Sequence, residues 1–272
     1  MELLKAIILG IVQGLTEFLP VSSSGHLVLV SEILKFKTGG LAFEVFVHFG
    51  TLLAVIIVFR KDIWDMIRFL PGLPAFLANR CKIRTESDKS RALTLYIIIG
   101  TIPAGVLGLL FEKQLEHAFS NPLLVLVTLF VTGLIMLSSR FPKERLPFMN
   151  GFHSILIGLA QALAIIPGIS RSGSTIVTAL WLGINRELAA RFSFLLSVPV
   201  ILGASILKFL DLLHAPPSGD QLLILLAATI AAAVSGYIAI IWLLDIIRKH
   251  KLEWFGVYCI GVSVAGLVIL FL

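Results

Sequence analysis

The sequence predicts an all-α polytopic membrane protein made of two inverted repeats, each a re-entrant helical hairpin followed by three transmembrane helices. Three observations predict it. Of the 272 residues, 58% are hydrophobic and only 14% charged, with a mean hydropathy of +1.00, whereas a soluble domain carries roughly a quarter charged residues. Apolar runs of membrane-crossing length recur along the chain. Two further apolar runs are interrupted by polar stretches containing Gly and Pro, and these two match each other.

In chain order, the first hairpin occupies about 3–35. Its apolar run 3–19 breaks at Pro20 to Gly25, and the apolar residues after the break are too few to finish a crossing, which takes about 20 residues. Spans at 41–59, 93–111 and 122–139 complete the first repeat, 1–139. The second repeat, 140–272, opens with a hairpin at about 153–184 that breaks at Pro167-Gly168 and resumes at 176–184. Its spans are 192–213, 221–244 and 254–271, and the two repeats form one integral membrane domain. Broken helices survive at membrane depth only where the freed backbone faces protein or a wet cavity, so both are expected to re-enter rather than cross. Pro103 and Pro199 remove a backbone donor within their spans and are expected to kink them. The 69–92 connection, with Pro71, Pro74 and mixed charge, is expected to be solvated. Glu2 and Lys5 make a weak charged start with no small-residue cleavage site after it, so the first segment is expected to belong to the mature protein. Cys81 and Cys259 have no ligand spacing and are not expected to pair.

At an offset of 148 residues Gly10 matches Gly158, Gln13 matches Gln161, Leu15 matches Leu163 and Ser22 matches Ser170. Ser24-Gly25 likewise matches Ser172-Gly173, and at an offset of 149 Phe43 aligns with Phe192 and Leu53 with Leu202. Three spans after each hairpin are an odd number, so the second half must be turned over in the membrane. The 60–92, 140–151, 185–191 and 245–253 connections then fall on one side with 8, 3, 2 and 3 Lys/Arg, and Arg171 enters from there too. The other side keeps Lys5, Lys35, Lys37, Lys113 and Lys208. Positive residues mark the cytoplasmic side, which puts both termini outside and the two hairpin tips face to face near the midplane. The net charge of +6 is thus a matter of topology. No basic residues interleave with aromatics on a soluble domain, which excludes nucleic-acid binding.

The chemistry-bearing residues sit at the two breaks. Gln13 and Glu17 lie four apart on one helical face, followed by Ser22-Ser23-Ser24-Gly25-His26. The second break carries Ser170-Arg171-Ser172-Gly173-Ser174-Thr175. A serine before a helix is an ordinary N-cap, which accounts for one hydroxyl per hairpin but not for three in a row or an arginine among them. Hydroxyls, glycine and exposed amides at a positive helix end describe an anion cradle suited to phosphate. An arginine at membrane depth must pair or face water. Arg171 either neutralises Glu17 or clamps phosphate oxygens bidentately, and an empty site can hold the first arrangement while a filled one holds the second. Glu17 is a candidate ligand for a hard divalent cation or an acceptor for a hydroxyl proton. His26, three residues past Ser23, is a candidate base, acid or alternative nucleophile. Glu44 and His48, four apart in a span, either line the cavity, bind metal or form a buried pair.

These residues resemble a known family. Gln13-x-x-x-Glu17, Pro20-Val-Ser-Ser-Ser-Gly-His26 and Pro167-Gly-Ile-Ser-Arg-Ser-Gly-Ser-Thr175 resemble the signature motifs of the bacterial undecaprenyl-diphosphate phosphatases, the bacitracin-resistance family, and the resemblance extends to Phe192-Ser-Phe194. It implies hydrolysis of undecaprenyl diphosphate to undecaprenyl phosphate and inorganic phosphate in the bacterial plasma membrane, which recycles the lipid carrier for peptidoglycan synthesis. It also implies resistance to bacitracin, which acts by sequestering that substrate. Ser23 then matches the favoured nucleophile, His26 the competing one, and Glu17 the carboxylate for metal binding or proton transfer. Arg171, Ser170, Ser172 and Thr175 match the phosphate-binding motif, with Ser22, Ser24 and Gln13 completing the candidate binding set. A divalent cation, Mg²⁺ or Ca²⁺, is implied as cofactor. The first position of the acidic motif is often Glu; with Gln13 there, Glu17 must carry more of the metal role. Assembly as a homodimer is left open. The rival reading is a transporter or flippase of undecaprenyl phosphate or another anion, because inverted repeats with paired hairpins also build transporters.

Overall fold

A computed structural model describes residues 1–36, 40–78, 81–83, 85–119, 121–143, 146–214, 217–249 and 251–272. Lys37, one of the basic residues expected on the outer side, lies outside the described residues, as do the side chains of Lys113 and Lys208. Arg80, Arg84 and Arg145 of the opposite side are likewise outside them. Among the described residues the secondary structure is helical, apart from one isolated bridge between Leu146 and Ile184.

The first hairpin is α1 (Glu2–Phe18) and α2 (Ser23–Leu34). Helix α1 ends where Pro20 forces the preceding residue out of the helical region, and Leu19 is extended at φ −61°, ψ 139°. Helix α2 starts behind an N-cap, with the Ser22 hydroxyl accepting from Gly25 N–H at 3.3 Å. The second hairpin is built the same way. Helix α9 (Gly151–Leu163) is capped by Asn150, the chain breaks at Pro167-Gly168, and α10 (Arg171–Trp181) is capped by Ser170 on Gly173 N–H at 3.1 Å. Gly168 turns the chain at φ +89°, and a side chain there would run into Thr128 and the Val125 carbonyl.

All six expected spans are helices: α3 (Gly40–Val58), α6 (Glu86–Leu110), α8 (Pro122–Ser138), α11 (Arg186–His214), α12 (Gly219–Arg248) and α13 (Glu253–Phe271). Four of them, α6, α11, α12 and α13, are long and apolar enough to cross a membrane. Helix α3 joins that group only together with the chain beyond it, which turns by 84° into α4 (Arg60–Phe69) and α5 (Leu73–Ala78). Helix α8 has 17 residues, roughly 26 Å at 1.5 Å per residue, against a hydrocarbon core of about 30 Å. Most of the early part of the 60–92 connection is therefore helix rather than open loop. Trp64 and Ile67 are exposed on it, and the Arg91 guanidinium lies 5.5 Å from the centre of the Phe69 ring. Pro103 and Pro199 both lie inside continuous helices, α6 and α11. A short helix α7 (Glu112–Phe119) links α6 to α8.

Packing follows small residues. Helix α1 lies on α12, and α9 lies on α6. Side chains at Gly10 and Gly14 would strike the Ala228 and Ala232 carbonyls, while one at Gly158 would strike the backbone of Gly100. The main core gathers Phe18, Phe59, Phe192 and Phe194, with Phe18 edge-on to Phe194 at 5.9 Å. A second cluster, with Ala6, Leu9, Phe43, Val47, Ala228 and Ala232, sits between α1, α3 and α12. The apolar residues left outside are large: Ile98, Ile102, Val106 and Leu109 on α6, and Val257, Val264 and Val268 on α13. Exposed apolar faces on helices of this length face lipid, and the chain is a multi-pass membrane protein.

The basic connections collect at one end. Asp62 of α4 pairs with Arg191 of α11, Glu187 of α11 pairs with Arg248 of α12 at 3.1 Å, and Leu146 N–H donates to Gly183 O at 2.8 Å.

Gly14→Leu tests the tight α1–α12 seam. Backbone blocks it on the α12 side, so it is expected to destabilise by about 1–3 kcal/mol or more. A thermal melt in detergent micelles reads this directly, and an unchanged midpoint would mean that α1 does not lie against α12.

Candidate active site

The two breaks meet around the Glu17 carboxylate. Glu17 is the next-to-last residue of α1 and is 8% exposed. Gln13, one turn earlier and fully buried, donates its Nε2–H to Glu17 Oε2 at 2.9 Å. The same oxygen accepts the Ser23 hydroxyl at 2.5 Å. Its other oxygen, Oε1, holds Arg171 Nη2 at 2.5 Å. Ser23 and Arg171 are each the first residue of their helix, α2 and α10, and occupy equivalent positions in the two halves. Two positive helix ends therefore point their leading side chains at one carboxylate. The expected Arg171–Glu17 pair is what the structure contains. A charge pair this deep is stable only because it is also hydrogen-bonded, and removing either partner leaves an uncompensated buried charge.

Among the described residues Gln13 Oε1 and Arg171 Nη1 of this cluster are both buried without a hydrogen-bond partner. Native proteins rarely leave such groups unsatisfied. One is a carbonyl acceptor and the other a cationic donor, the pair of contacts that a cation and an anionic oxygen would fill.

The hairpin tips are stitched together across the middle. Gly168 N–H donates to Ser24 Oγ at 3.4 Å, and Ser172 Oγ donates to the Leu19 carbonyl at 3.2 Å. Ser22 and Ser24 lie 3.2 Å apart through their hydroxyls, as Ser170 and Ser172 do at 3.3 Å. Helix α8 supports the second tip from below. Thr128 donates to the Pro167 carbonyl at 2.5 Å, and Thr132 donates to Gly168 O at 2.8 Å while accepting from Ser170 N–H at 3.0 Å.

The sequence-derived candidates divide accordingly. Glu17, Gln13, Ser23 and Arg171 are brought together. Ser22 and Ser170 serve as N-caps, and Ser24 and Ser172 as tip-to-tip bridges. Thr175 is fully buried, donates to the Arg171 carbonyl at 2.8 Å and shares a 2.6 Å hydrogen bond with Ser193 of α11. Its hydroxyl holds α10 in place instead of lining the cradle.

His26 departs from expectation. Among the described residues no hydrogen bond joins it to Ser23. Its Nδ1 is 2.8 Å from the Ser22 carbonyl and its Nε2 is 2.8 Å from the Tyr258 hydroxyl. Nearness in sequence suggests reach to Ser23, but both ring nitrogens are engaged elsewhere. Of the Glu44–His48 pair, His48 reaches the site, with Nε2 3.8 Å from Glu17 Oε2. Its Nδ1 faces the Glu44 carbonyl at 2.8 Å, so the helical spacing does join the two residues, through the backbone. Tyr258, Thr128 and Thr132 escape sequence reasoning, their only signal being a polar side chain in an apolar span, and Ser193 is reached only as the middle of Phe192-Ser-Phe194, without a role.

The profile described as bacitracin resistance protein BacA matches residues 6–265. The chain belongs to the BacA family. Among its relatives it is 46% identical to the undecaprenyl-diphosphatase of Methanobrevibacter smithii, over 95% of this chain and 94% of that one. It is 45% identical to the undecaprenyl-diphosphatase of Halothermothrix orenii, over 100% and 98%. It is 40% identical to undecaprenyl-diphosphatase 1 of Shouchella clausii, over 97% and 95%.

The donor set can be tested against a divalent cation. Among the described residues no group of three or more His, Cys, Asp and Glu gathers to hold one. What the site does offer is oxygen: the Glu17 carboxylate, the unpartnered Gln13 Oε1 and the Ser23 hydroxyl. Calcium in an all-protein cage takes six to eight oxygens, whereas Mg²⁺ is typically bound by one or two carboxylates completed by substrate phosphates and water. The residues fit a cation of the second kind.

Thr132→Val checks the support under the second tip. It preserves shape but leaves Ser170 N–H and Gly168 O without their partner, a loss of about 1–3 kcal/mol for a buried group. The melting midpoint should fall accordingly, and an unaltered midpoint would show that the tip is held by something else.

Proposed function

We propose that this chain is an undecaprenyl-diphosphatase, an integral membrane hydrolase that converts undecaprenyl diphosphate to undecaprenyl phosphate and inorganic phosphate. In that role it recycles the lipid carrier of peptidoglycan precursors and lowers sensitivity to bacitracin. The observation that carries the reading is the Ser23 hydroxyl, 2.5 Å from a carboxylate that Arg171 also grips, in a member of the BacA family. A carrier has use for the arginine and the helix ends, but none for a hydroxyl aimed at a base.

The reaction can be built from the chain's own groups. The isoprenoid tail lies among the apolar spans and the diphosphate enters between the hairpin tips. Arg171 turns its guanidinium from Glu17 to the phosphate oxygens, using the Nη1 that has no hydrogen-bond partner among the described residues, and the α2 and α10 amide ends add to the positive field. A divalent cation, Mg²⁺ or Ca²⁺, held by Glu17 and Gln13 Oε1, supplies Lewis-acid neutralisation of the diphosphate when bound. Glu17 accepts the Ser23 proton as Oγ attacks the terminal phosphorus in line. The new Oγ–P bond forms as the bridging P–O bond breaks, and undecaprenyl phosphate leaves with the electron pair. Water then attacks the phosphoserine phosphorus as the Oγ–P bond breaks, Glu17 returns its proton to Oγ to restore the Ser23 hydroxyl, and inorganic phosphate leaves carrying the water's oxygen and protons. Neutralising spread charge is the main contribution in such transfers.

We infer further that the two halves, 1–139 and 140–272, are inverted repeats in the bacterial plasma membrane with both termini outside. In support, α1 on α12 and α9 on α6 are equivalent pairings under the repeat offset, and the equivalent serines Ser24 and Ser172 each bond to backbone of the opposite tip. The gathering of the basic connections at one end agrees with a single cytoplasmic face.

Ser23→Ala in detergent is expected to lower phosphate release from undecaprenyl diphosphate by on the order of 10³-fold or more, as removal of a nucleophile does. Near-normal turnover eliminates Ser23 from that role. Chelation of divalent ions should halt release by the native protein and added Mg²⁺ should restore it. Activity that survives exhaustive chelation removes the cation from the proposal. In reconstituted liposomes, lipid movement without phosphate release would sink the enzyme reading.

A further inference from the structure

We propose that Tyr258 is a positioning residue of the site: acting through His26, it locks the turn that aims Ser23 at Glu17. The activity part of its test rests on the phosphatase reading; its geometric part does not.

The two nitrogens of His26 do different work. A carbonyl oxygen only accepts, so Nδ1, 2.8 Å from Ser22 O, carries a hydrogen. In the neutral ring Nε2 is then a bare acceptor, and the Tyr258 hydroxyl at 2.8 Å donates to it. The two rings are also stacked, 5.6 Å apart and inclined by 9°. The Ser22 carbonyl therefore sets the tautomer, and Tyr258 matches it and fixes the plane of the imidazole, as outer-shell partners orient a metal-binding histidine.

The held tautomer matters because of what it holds. Ser22 sits at φ +69°, ψ 95°, a left-handed conformation that few non-glycine residues adopt and that persists only where several contacts impose it. Its carbonyl takes two donors from His26, the backbone N–H at 3.1 Å and Nδ1–H at 2.8 Å. Its hydroxyl caps Gly25 N–H. The next residue is Ser23. If the Tyr258 hydroxyl is removed, Nε2 becomes an acceptor without a donor and the imidazole loses the contact that fixes its plane. The ring is then free to tilt, and the Nδ1–H clamp on the Ser22 carbonyl loosens. Tyr258 comes from α13, which otherwise packs on α8, so the last helix of the chain reaches back to the first hairpin at this contact.

The test uses the full chain in detergent micelles. Tyr258→Phe keeps the stacked ring and removes only the hydroxyl. It should lower kcat by about 10-fold or more, the scale of a misplaced reacting group, while KM, set by Arg171 and the helix ends, changes by less than about 2-fold. His26→Asn places an amide N–H close to where Nδ1–H stood and has no base. It is expected to be at least about 10-fold more active than His26→Ala, as rescue of a positioning contact requires. Independently of activity, nitrogen NMR of histidine-labelled protein should show an Nδ1–H tautomer that disappears in His26→Asn and shifts in Tyr258→Phe. An Nε2–H tautomer in the native protein overturns the proposal. So does a kcat within about 2-fold of native in Tyr258→Phe, or equal inactivity of His26→Asn and His26→Ala, which would give the imidazole a chemical role. If the native protein releases no phosphate but its His26 tautomer is as stated, the phosphatase reading fails and the relay stands.

Discussion

The structure depends on one buried carboxylate. Glu17 is held by groups from four helices: Gln13 of α1, Ser23 of α2, Arg171 of α10 and, at 3.8 Å, His48 of α3. A carboxylate at this depth is tolerated only when paired and hydrogen-bonded, so each of these helices must deliver its residue to the same point. That requirement explains why both hairpins break where they do. A continuous helix through Pro20 or Pro167 would carry Ser23 and Arg171 away from Glu17 and leave it charged and alone.

Breaking two helices inside the bilayer frees backbone groups that lipid cannot satisfy. Each hairpin closes part of that deficit for the other. Ser172 donates to the Leu19 carbonyl and Ser24 accepts from Gly168 N–H, while Thr128 and Thr132 of α8 take the remaining polar groups around Gly168. The serines of the two motifs are thus mostly structural in this arrangement. They hold two helix ends in opposition so that one hydroxyl and one guanidinium share a carboxylate. Precision comes from this scaffold, since Ser23 and Arg171 are each tied to a capped helix rather than to a loop.

Much of this is legible in the sequence because it is local. Apolar run length and Pro-Gly breaks locate every long helix and both hairpins, and the 148-residue offset aligns Ser23 with Arg171 without any knowledge of contacts. The parts that are not legible depend on distant partners or on polar sequence that happens to be helical. The charged stretch after Phe59 reads as a connection, yet it forms α4 after an 84° bend. His26 reads as within reach of Ser23 because three residues separate them, and the partner that redirects its ring, Tyr258, lies 232 residues further on. Thr175 reads as a phosphate contact from its motif, and only the fold reveals Ser193 beside it. His48 is half legible: its spacing from Glu44 marks a face, but not that the face turns to Glu17.

The 148-residue offset also shows how the two halves differ. Under the 148-residue offset, Glu17 corresponds to Ile165 and Ser23 to Arg171, so the acid and the hydroxyl belong to one hairpin and the cation to the other. Gln13 and Gln161 keep the neutral position in both. One carboxylate stands against one guanidinium, and the Arg171–Glu17 pair balances the two charges. A second carboxylate at position 13 would leave a net negative charge at membrane depth, which is costly in itself and repels a diphosphate. With Gln13 in place, the excess negative charge arises only when the substrate arrives. On the proposed function, the divalent cation is then matched to the bound diphosphate rather than to the protein, in keeping with a site that offers it so few oxygens of its own.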